Sequence, residues 1–317
     1  MKKAISLVIA LIIAAFSVLS VAAADVLKKP TEFTHTDYPG IEFGNDWDDN
    51  LMVTGYTGAD PKLVVPETVY NKSVLRFEEN ALENNTVVQS VIMNDNMTNV
   101  RDRAFYKCTN LSHIYYSPKL QVIGKNVFTY DTNLTNAFLR NTVVNQIDSN
   151  AYMSCSNLEY VSLPDSLKTI NGAGFNGTAV RKIVLPNGVE TIGARSFANN
   201  AKLEKIYVPA SVSIIGSSVL SGSANVTVYT PEGSEMQTYC QNNSINCETL
   251  SEEYFPSRLL GDTNGDKEVN INDVTFIQRE IAGYKTDFYP DNCDYNGDCK
   301  LNINDATDIQ YHIVGLK

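Results

Sequence analysis

Residues 185–216 read LPNGVETIGARSFANNAKLEKIYVPASVSIIG, and this stretch decides the fold. The run from Leu203 to Pro209 has apolar residues at its first, fourth and sixth positions, and the runs 158–164 and 180–186 repeat the pattern. Alternation over the last three of these positions predicts a strand with one buried face. Proline then ends each strand, because it has no backbone N–H to donate to a sheet.

A bulky apolar residue recurs along the middle of the chain at intervals of 22 to 24 residues. An Ile, Val or Phe lies five residues before each one, and an apolar residue follows most of them after six. Such a period predicts short stacked units that bury one continuous core, since a single unit cannot bury its own apolar face. The bulky positions are Leu82, Phe105, Phe128, Tyr152, Phe175, Phe197 and Leu220.

These phrases resemble the BspA-like leucine-rich repeats of secreted bacterial proteins. The resemblance covers residues 50–248 and implies a β-rich leucine-rich-repeat solenoid with atypical capping units at both ends. Residues 25–49 form a polar lead-in without an assignment, and 249–260 are expected to be a linker. Solenoids of this kind bind varied ligands, so the fold alone names none.

The outward positions of the predicted strands carry several aromatic and basic residues. They would form one ladder if the strands stack in register. Two interpretations remain open: an ordinary solvated strand face, or a binding surface for a protein or glycan, since exposed aromatic residues favour recognition. The residues on this predicted face are His113, Tyr115, Tyr160, Lys182, Lys205 and Tyr207.

Composition and the N-terminus bear on the class of protein. The chain has 317 residues and a net charge of −11, which disfavours nucleic-acid binding because an acidic surface repels phosphate. Lys2 and Lys3 precede an apolar run and three alanines that end at Ala24. This pattern predicts a signal peptide over 1–24 and a secreted, extracellular protein, with an uncleaved membrane anchor as the alternative.

Two near-identical acidic segments, offset by 32 residues, lie in 261–317. Oxygen-bearing side chains at loop positions 1, 3, 5, 9 and 12, with a backbone carbonyl at position 7, suit calcium, which prefers six to eight oxygen ligands. The sequence therefore predicts two calcium ions. The first loop offers Asp262, Asn264, Asp266, Glu268, Asn270 and Asp273, and the second offers Asp294, Asn296, Asp298, Lys300, Asn302 and Asp305.

Both loops depart from the EF-hand pattern and both open a helix. Position 12 is Asp instead of Glu, and position 6 is Lys267 or Cys299 where glycine normally permits the turn. Apolar residues at helical spacing follow each loop, as Val274, Ile277 and Ile281 do after the first. The sequence thus predicts a small all-α calcium-binding module of paired EF-hand-like loop–helix motifs.

The pair GDTNGDKEVNINDVTFIQREIAG and CDYNGDCKLNINDATDIQYHIVG resembles the duplicated segments of a type I dockerin. The resemblance implies a module that binds the cohesin domain of a scaffoldin in a cellulosome, an assembly that degrades plant polysaccharides. Near-identity of the segments favours two alternative docking modes, with Arg279 against Tyr311 breaking the symmetry. Positions matching the family's recognition residues are Ile271, Asn272, Gln278, Arg279, Ile303, Asn304, Gln310 and Tyr311.

A non-catalytic cellulosome component is therefore expected. The alternatives are an accessory subunit with its own hydrolase activity and a cell-surface adhesin. The sequence contains no nucleophile-elbow or zinc-protease motif, and the repeats leave little room for a catalytic domain.

The six cysteines are predicted to sort by geometry. Cys108 and Cys155 occupy equivalent sites two repeats apart, about 9.6 Å by strand spacing, so they are expected to be free and half-buried. The pairs Cys240–Cys247 and Cys293–Cys299 are close enough in sequence for disulfides to be an open alternative.

Overall fold

The structure, a computed structural model, describes residues 38–46, 48, 50–251, 256, 258–284, 286–298 and 300–316. The predicted signal peptide and most of the lead-in lie outside these described residues. Within them, no helix is long and apolar enough to cross a membrane. The predicted β-rich solenoid followed by a small helical module is confirmed.

One long sheet runs the length of the solenoid. Its first pair of strands is antiparallel, and every later pair along the main path is parallel. At the side of the sheet, β4 (Thr68–Val69) pairs antiparallel with β5 (Lys72–Phe77). Each repeat contributes one strand, as the 23-residue period requires. Along the path the strands are β1 (Ile41–Asn45), β2 (Leu51–Tyr56), β5 (Lys72–Phe77), β7 (Asn99–Val100), β9 (Val122–Ile123), β11 (Gln146–Ile147), β13 (Thr169–Ile170), β15 (Thr191–Ile192) and β17 (Ile214–Ile215).

The strands predicted from the proline-ended runs form a second face of three parallel sheets. Equivalent residues pair across repeats, so Lys182 stands opposite Lys205 and Ile183 opposite Ile206. The first sheet holds β3 (Lys62–Val64), β6 (Ser90–Ile92) and β8 (His113–Tyr115). The second holds β10 (Asn136–Phe138) and β12 (Tyr160–Ser162), and the third holds β14 (Lys182–Val184), β16 (Lys205–Tyr207), β18 (Thr227–Thr230) and β19 (Cys247–Thr249).

The bulky repeat positions form a stack of rings along the solenoid axis. Phe128, Tyr152, Phe175 and Phe197 follow one another with centroids 5.0, 5.2 and 5.8 Å apart, and their planes are within 23° of parallel. All four side chains are at most 1% exposed. This stack is the centre of the continuous core that the repeat period predicts.

Two residues in the left-handed backbone region flank the bulky residue in every repeat, two positions before it and two after. Around Phe197 they are Arg195 and Asn199, each with φ of 58°. These turns direct backbone N–H groups at the next repeat, and the N–H of Phe197 donates to the carbonyl of Val219 at 3.0 Å. Adjacent repeats are therefore joined by hydrogen bonds as well as by the core.

Different elements cap the two ends. At the N-terminal end, the β1–β2 hairpin places residues 41–45 in the solenoid, although the sequence left them unassigned. At the C-terminal end, helix α1 (Glu235–Asn243) begins at Ser234, whose hydroxyl accepts from the N–H of Gln237, and buries Met236 and Cys240 against the last repeat.

The helical module has two helices of equal length, α2 (Ile271–Ile281) and α3 (Ile303–Ile313), separated by a short 3-10 turn at Pro290–Asn292. Each helix begins with a capping box, Asn270 with Asp273 and Asn302 with Asp305. These boxes satisfy backbone donors that a helix start leaves without partners. The predicted repetition of loop and helix is thus present in the backbone.

The cysteine prediction is partly wrong. Cys108 and Cys155 are unbonded to each other, as expected, but they are fully buried instead of half-buried. Their thiols donate to backbone carbonyls of Leu82 and Phe128 in the preceding repeats at 3.0 and 2.9 Å, which explains the burial. Cys240 and Cys247 are neighbouring thiols without a disulfide, and Cys299 lies outside the described residues.

Candidate functional site

The first predicted calcium loop is folded around its two terminal aspartates. Asp262 accepts from the backbone N–H groups of Gly265, Asp266 and Lys267 at 2.8 to 3.0 Å. Asp273 accepts from Thr263 at 2.8 Å, and its other oxygen accepts from Asn270 at the same distance. These bonds curl the loop backbone around the two aspartates. Among the described residues, a cluster of carboxylates within reach of one ion forms in the second loop and not in the first.

The departure from glycine at loop position 6 has a visible consequence. Lys267 adopts a φ of 71°, in the left-handed region that costs an ordinary residue about 1–2 kcal/mol. The sharp turn is therefore made despite the lysine, and the loop keeps its shape.

The second loop brings its carboxylates close together. Oxygens of Asp294, Asp298 and Asp305 all lie within 4.8 Å of one another. Asn296 and Asp298 accept from backbone N–H groups two residues ahead, Asp298 and Lys300, at 2.9 and 3.0 Å. A cluster of oxygen ligands at this spacing fits a hard divalent cation such as calcium.

Burial and mutual repulsion perturb this cluster. Burial first, and the charges of Asp294 and Asp298 second, together raise the pKa of Asp305 to about 8 against opposing backbone hydrogen bonds. Burial likewise raises the pKa of Asp273 in the first loop and of Asp298. A bound cation would neutralise the repulsion that these carboxylates exert on one another.

The residues predicted to recognise a cohesin lie on α2 and α3. Apolar residues at the two helix starts are unusually exposed, with Ile271 at 57% and Ile303 at 45%. Asn272, Gln278, Arg279 and Tyr311 are also exposed, and Asn304 and Gln310 are half-buried. Exposed large apolar side chains that recur on a small module are typical of a binding surface.

The residues predicted on the outward solenoid face are in a different environment from the one expected. Five of the six contact the C-terminal module: Tyr115 and Tyr160 pack on its apolar cluster, Lys182 and Lys205 pair with Asp287, and Tyr207 lies against Tyr289. The sixth residue is His113, and burial first and the charge of Lys300 second together lower its pKa to about 4.

Sequence reasoning missed the residues of the module that make these contacts. Asp287, Tyr289 and Asn292 lie between the two duplicated segments, where the repeat comparison has no counterpart for them. Glu280 lies near the end of the first segment, and its counterpart in the second is His312. The available signal in the sequence was the pair of aromatic residues before Pro290.

Comparison with known proteins agrees with the two-part architecture. Residues 64–173 and 145–261 match the BspA type leucine rich repeat region in six copies, and 260–313 match the dockerin type I domain. No curated protein matches the chain.

Two solved structures are similar in fold. One is a leucine rich cell surface protein from Faecalibacterium prausnitzii, at 18% identity over 71% of this chain and 97% of that chain, with a TM-score of 0.43. The other is the T. pallidum leucine rich repeat protein TpLRR, at 17% identity over 80% and 97% of the two chains, with a TM-score of 0.48. Because the repeat match spans more than half of the sequence, the chain belongs to the BspA-type leucine-rich-repeat proteins, and it carries a C-terminal type I dockerin domain.

Proposed function

We propose that this protein is a secreted, non-catalytic component of a polysaccharide-degrading assembly, attached through its dockerin to a cohesin and contributing its repeats as a recognition module. The observation that carries the proposal is the duplicated loop–helix unit with an exposed isoleucine at the start of each helix. A cohesin-docking, repeat-containing protein already follows from the two family matches. Secretion and the absence of catalysis are parts of the proposal.

Calcium is proposed to hold each loop in the shape from which its recognition helix emerges. The side-chain ligands would be Asp262, Asn264, Asp266, Asn270 and Asp273 in the first loop, and Asp294, Asn296, Asp298, Asn302 and Asp305 in the second. Glu268 and Lys300 would add backbone carbonyls. When bound, calcium would neutralise the charge of the loop carboxylates, and the chain's own capping boxes set the direction of each helix.

Two docking modes are proposed because both helix starts present the same pair of residues. Ile271-Asn272 and Ile303-Asn304 are equivalent in sequence, and both isoleucines are exposed. A partner surface complementary to one helix start would therefore accept the other. The difference between Arg279 and Tyr311 would bias the choice between modes.

The test is calorimetry of the full chain against a panel of cohesins, with calcium and with EDTA. Dual binding requires Ile271→Asp/Asn272→Asp and Ile303→Asp/Asn304→Asp each to retain most of the affinity, and the four changes together to abolish it. Ile214→Asp is the matched control, because Ile214 is an isoleucine 60% exposed on the solenoid. Binding in EDTA, or binding by the quadruple variant, would contradict the proposal.

Absence of catalysis is tested separately. The pure protein should release no reducing sugar from cellulose or xylan. Activity that a single carboxylate substitution abolishes would favour the alternative of an accessory hydrolase.

A further inference from the structure

The solenoid face that looked available for a ligand is covered by the chain's own C-terminal module. The covering segment consists of the described residues 280–284 and 286–292, from the end of α2 to the short 3-10 turn, and is called segment 280–292. Its contacts reach across four successive strands of the second solenoid face, from β10 to β16. The contact is therefore broad along the solenoid axis and is made by a narrow edge of the module.

At the centre of the contact lies a charge cluster in which the Lys182 side chain is buried and the Asp287 side chain is 56% exposed. Asp287 pairs with Lys182 and with Lys205, the latter at 2.9 Å. The Lys182 side chain is only 8% exposed, and its ammonium also stands 3.5 Å from the centroid of the Tyr289 ring. An ammonium this buried requires a partner, because leaving it unpaired in a low-dielectric environment is strongly unfavourable.

Apolar packing surrounds the charges on both sides. Phe138 of β10 joins Val274, Ile277 and Phe288 of the module in one buried cluster, with Tyr160 packed against it. On the other side, Tyr207 lies against Tyr289, and their hydroxyls are 3.4 Å apart. These residues shield the Lys182 side chain from water, while the Asp287 carboxylate pairs with it from the exposed edge of the module.

A second polar anchor connects the solenoid to the first calcium loop. Arg140 donates to the side-chain oxygen of Asn292 at 2.9 Å, and the amide of Asn292 donates to the carbonyl of Asp262 at 2.6 Å. Arg258, in the connecting segment, pairs with Asp165 at 3.0 Å. The module is thus anchored to the solenoid both through Asn292 and through the segment that precedes the first calcium loop.

We propose that strands β10 to β16 of the solenoid are the seat of the C-terminal module, so that repeats and module form one rigid unit and this face is closed to separate ligands. The partner of the surface is the segment 280–292 of the same chain. The exposed starts of α2 and α3 take no part in the seat, so seating and cohesin binding use different surfaces. The inference stands independently of whether a cohesin is bound.

Zero-length carbodiimide cross-linking of the full chain tests the seat, because this reagent joins only amines and carboxylates that already touch. In the monomer band, mass spectrometry should find an isopeptide bond between Lys205 and Asp287. The internal control is Lys202 with Glu159, an ion pair at 2.7 Å within the solenoid. The control bond without the Lys205–Asp287 bond, or a Lys205–Asp287 bond confined to dimers, would overturn the proposal.

Charge reversal gives a second readout by small-angle scattering. Asp287→Lys should enlarge the maximum dimension of the full chain, because it places a third positive charge between two lysines. Adding Lys182→Asp and Lys205→Asp should restore the compact form by exchanging the charges. An unchanged dimension in Asp287→Lys would contradict the seat, and circular dichroism checks that the variant is folded. Loss of cohesin binding with the cross-link intact would count against the proposed function alone.

Discussion

Asp131 offers a sharp test of how the solenoid core is built. It lies three residues after the bulky Phe128, in a column of polar or thiol side chains that also includes Cys108, Thr178 and Asn200. One oxygen of Asp131 accepts from the backbone N–H of Cys108 at 2.7 Å. Asn200 does the same for Thr178, also at 2.7 Å, so an amide already performs this role three repeats further along the chain.

The carboxyl group is poorly suited to the site. Asp131 is fully buried, and its second oxygen has no hydrogen-bond partner among the described residues. Burial raises its pKa well above the ordinary value, although the bond from Cys108 opposes the change. A carboxyl whose pKa is raised on folding destabilises the folded state once the pH is high enough to ionise the unfolded chain.

The substitution Asp131→Asn should therefore stabilise the protein at neutral pH. Holding a carboxyl of ordinary pKa protonated at pH 7 costs about 4 kcal/mol, which is the ceiling on the gain. Loss of an internal bond and imperfect packing reduce this, so the expected gain is about 1–3 kcal/mol in the free energy of unfolding. At pH 3 both states bind the proton, and the gain should vanish.

Urea unfolding followed by circular dichroism at pH 3, 5 and 7 measures the effect. The comparison requires that the variant and the original protein have the same dependence of unfolding free energy on urea concentration. The matched control is Asn200→Asp, which should destabilise the protein at pH 7 and leave it unchanged at pH 3. A gain for Asp131→Asn that is the same at every pH would refute the reasoning, and so would destabilisation at pH 7.

Three further predictions follow from the repeats and the loops. The substitution Ala173→Gly should raise the free energy of unfolding by about 0.5–1 kcal/mol, because Ala173 has a φ of 57°, which glycine adopts without steric cost. In the same repeat, Gly177→Ala should lower the free energy of unfolding by about 1–2 kcal/mol. If urea unfolding shows that both substitutions change the stability in the same direction, the strain argument is wrong. Phe175→Ala should cost about 3–5 kcal/mol by opening the ring stack, measured in the same way. Calorimetric titration of the EDTA-treated full chain should find two calcium ions, with Asp262→Ala and Asp294→Ala each removing one; two ions in either variant would refute the ligand assignment.

The repeat was predictable because its signal depends on periodicity. Phe128, Tyr152 and Phe175 are all large and apolar, and their spacing alone predicts a continuous core. The left-handed turns beside them were not predicted, because Asn150, Ala173 and Arg195 have nothing in common as residue types. Hydrogen bonding between repeats imposes that conformation, and its source is visible only in three dimensions.

The fate of the outward face could not be predicted for a different reason. Lys182 and Asp287 are 105 residues apart, and nothing in the local sequence relates them. A strand position that points away from its own core reads as exposed, although a second domain can bury it. From the sequence, Lys182 and Tyr207 therefore resembled ligand-binding residues. In the structure their contacts are with Asp287 and Tyr289 of the same chain.

The seat and the duplicated helices together would determine how the solenoid is oriented on a bound cohesin. Because segment 280–292 fixes the module on the solenoid, a change of docking helix moves the whole solenoid with it. Docking through α2 and docking through α3 would then place the repeats in different orientations relative to the same cohesin. With a flexible connection the solenoid could take the same orientations in both docking modes. With a rigid seat each docking mode fixes a different orientation of the solenoid. The choice between Arg279 and Tyr311 at the partner surface would thus decide which way the repeats face.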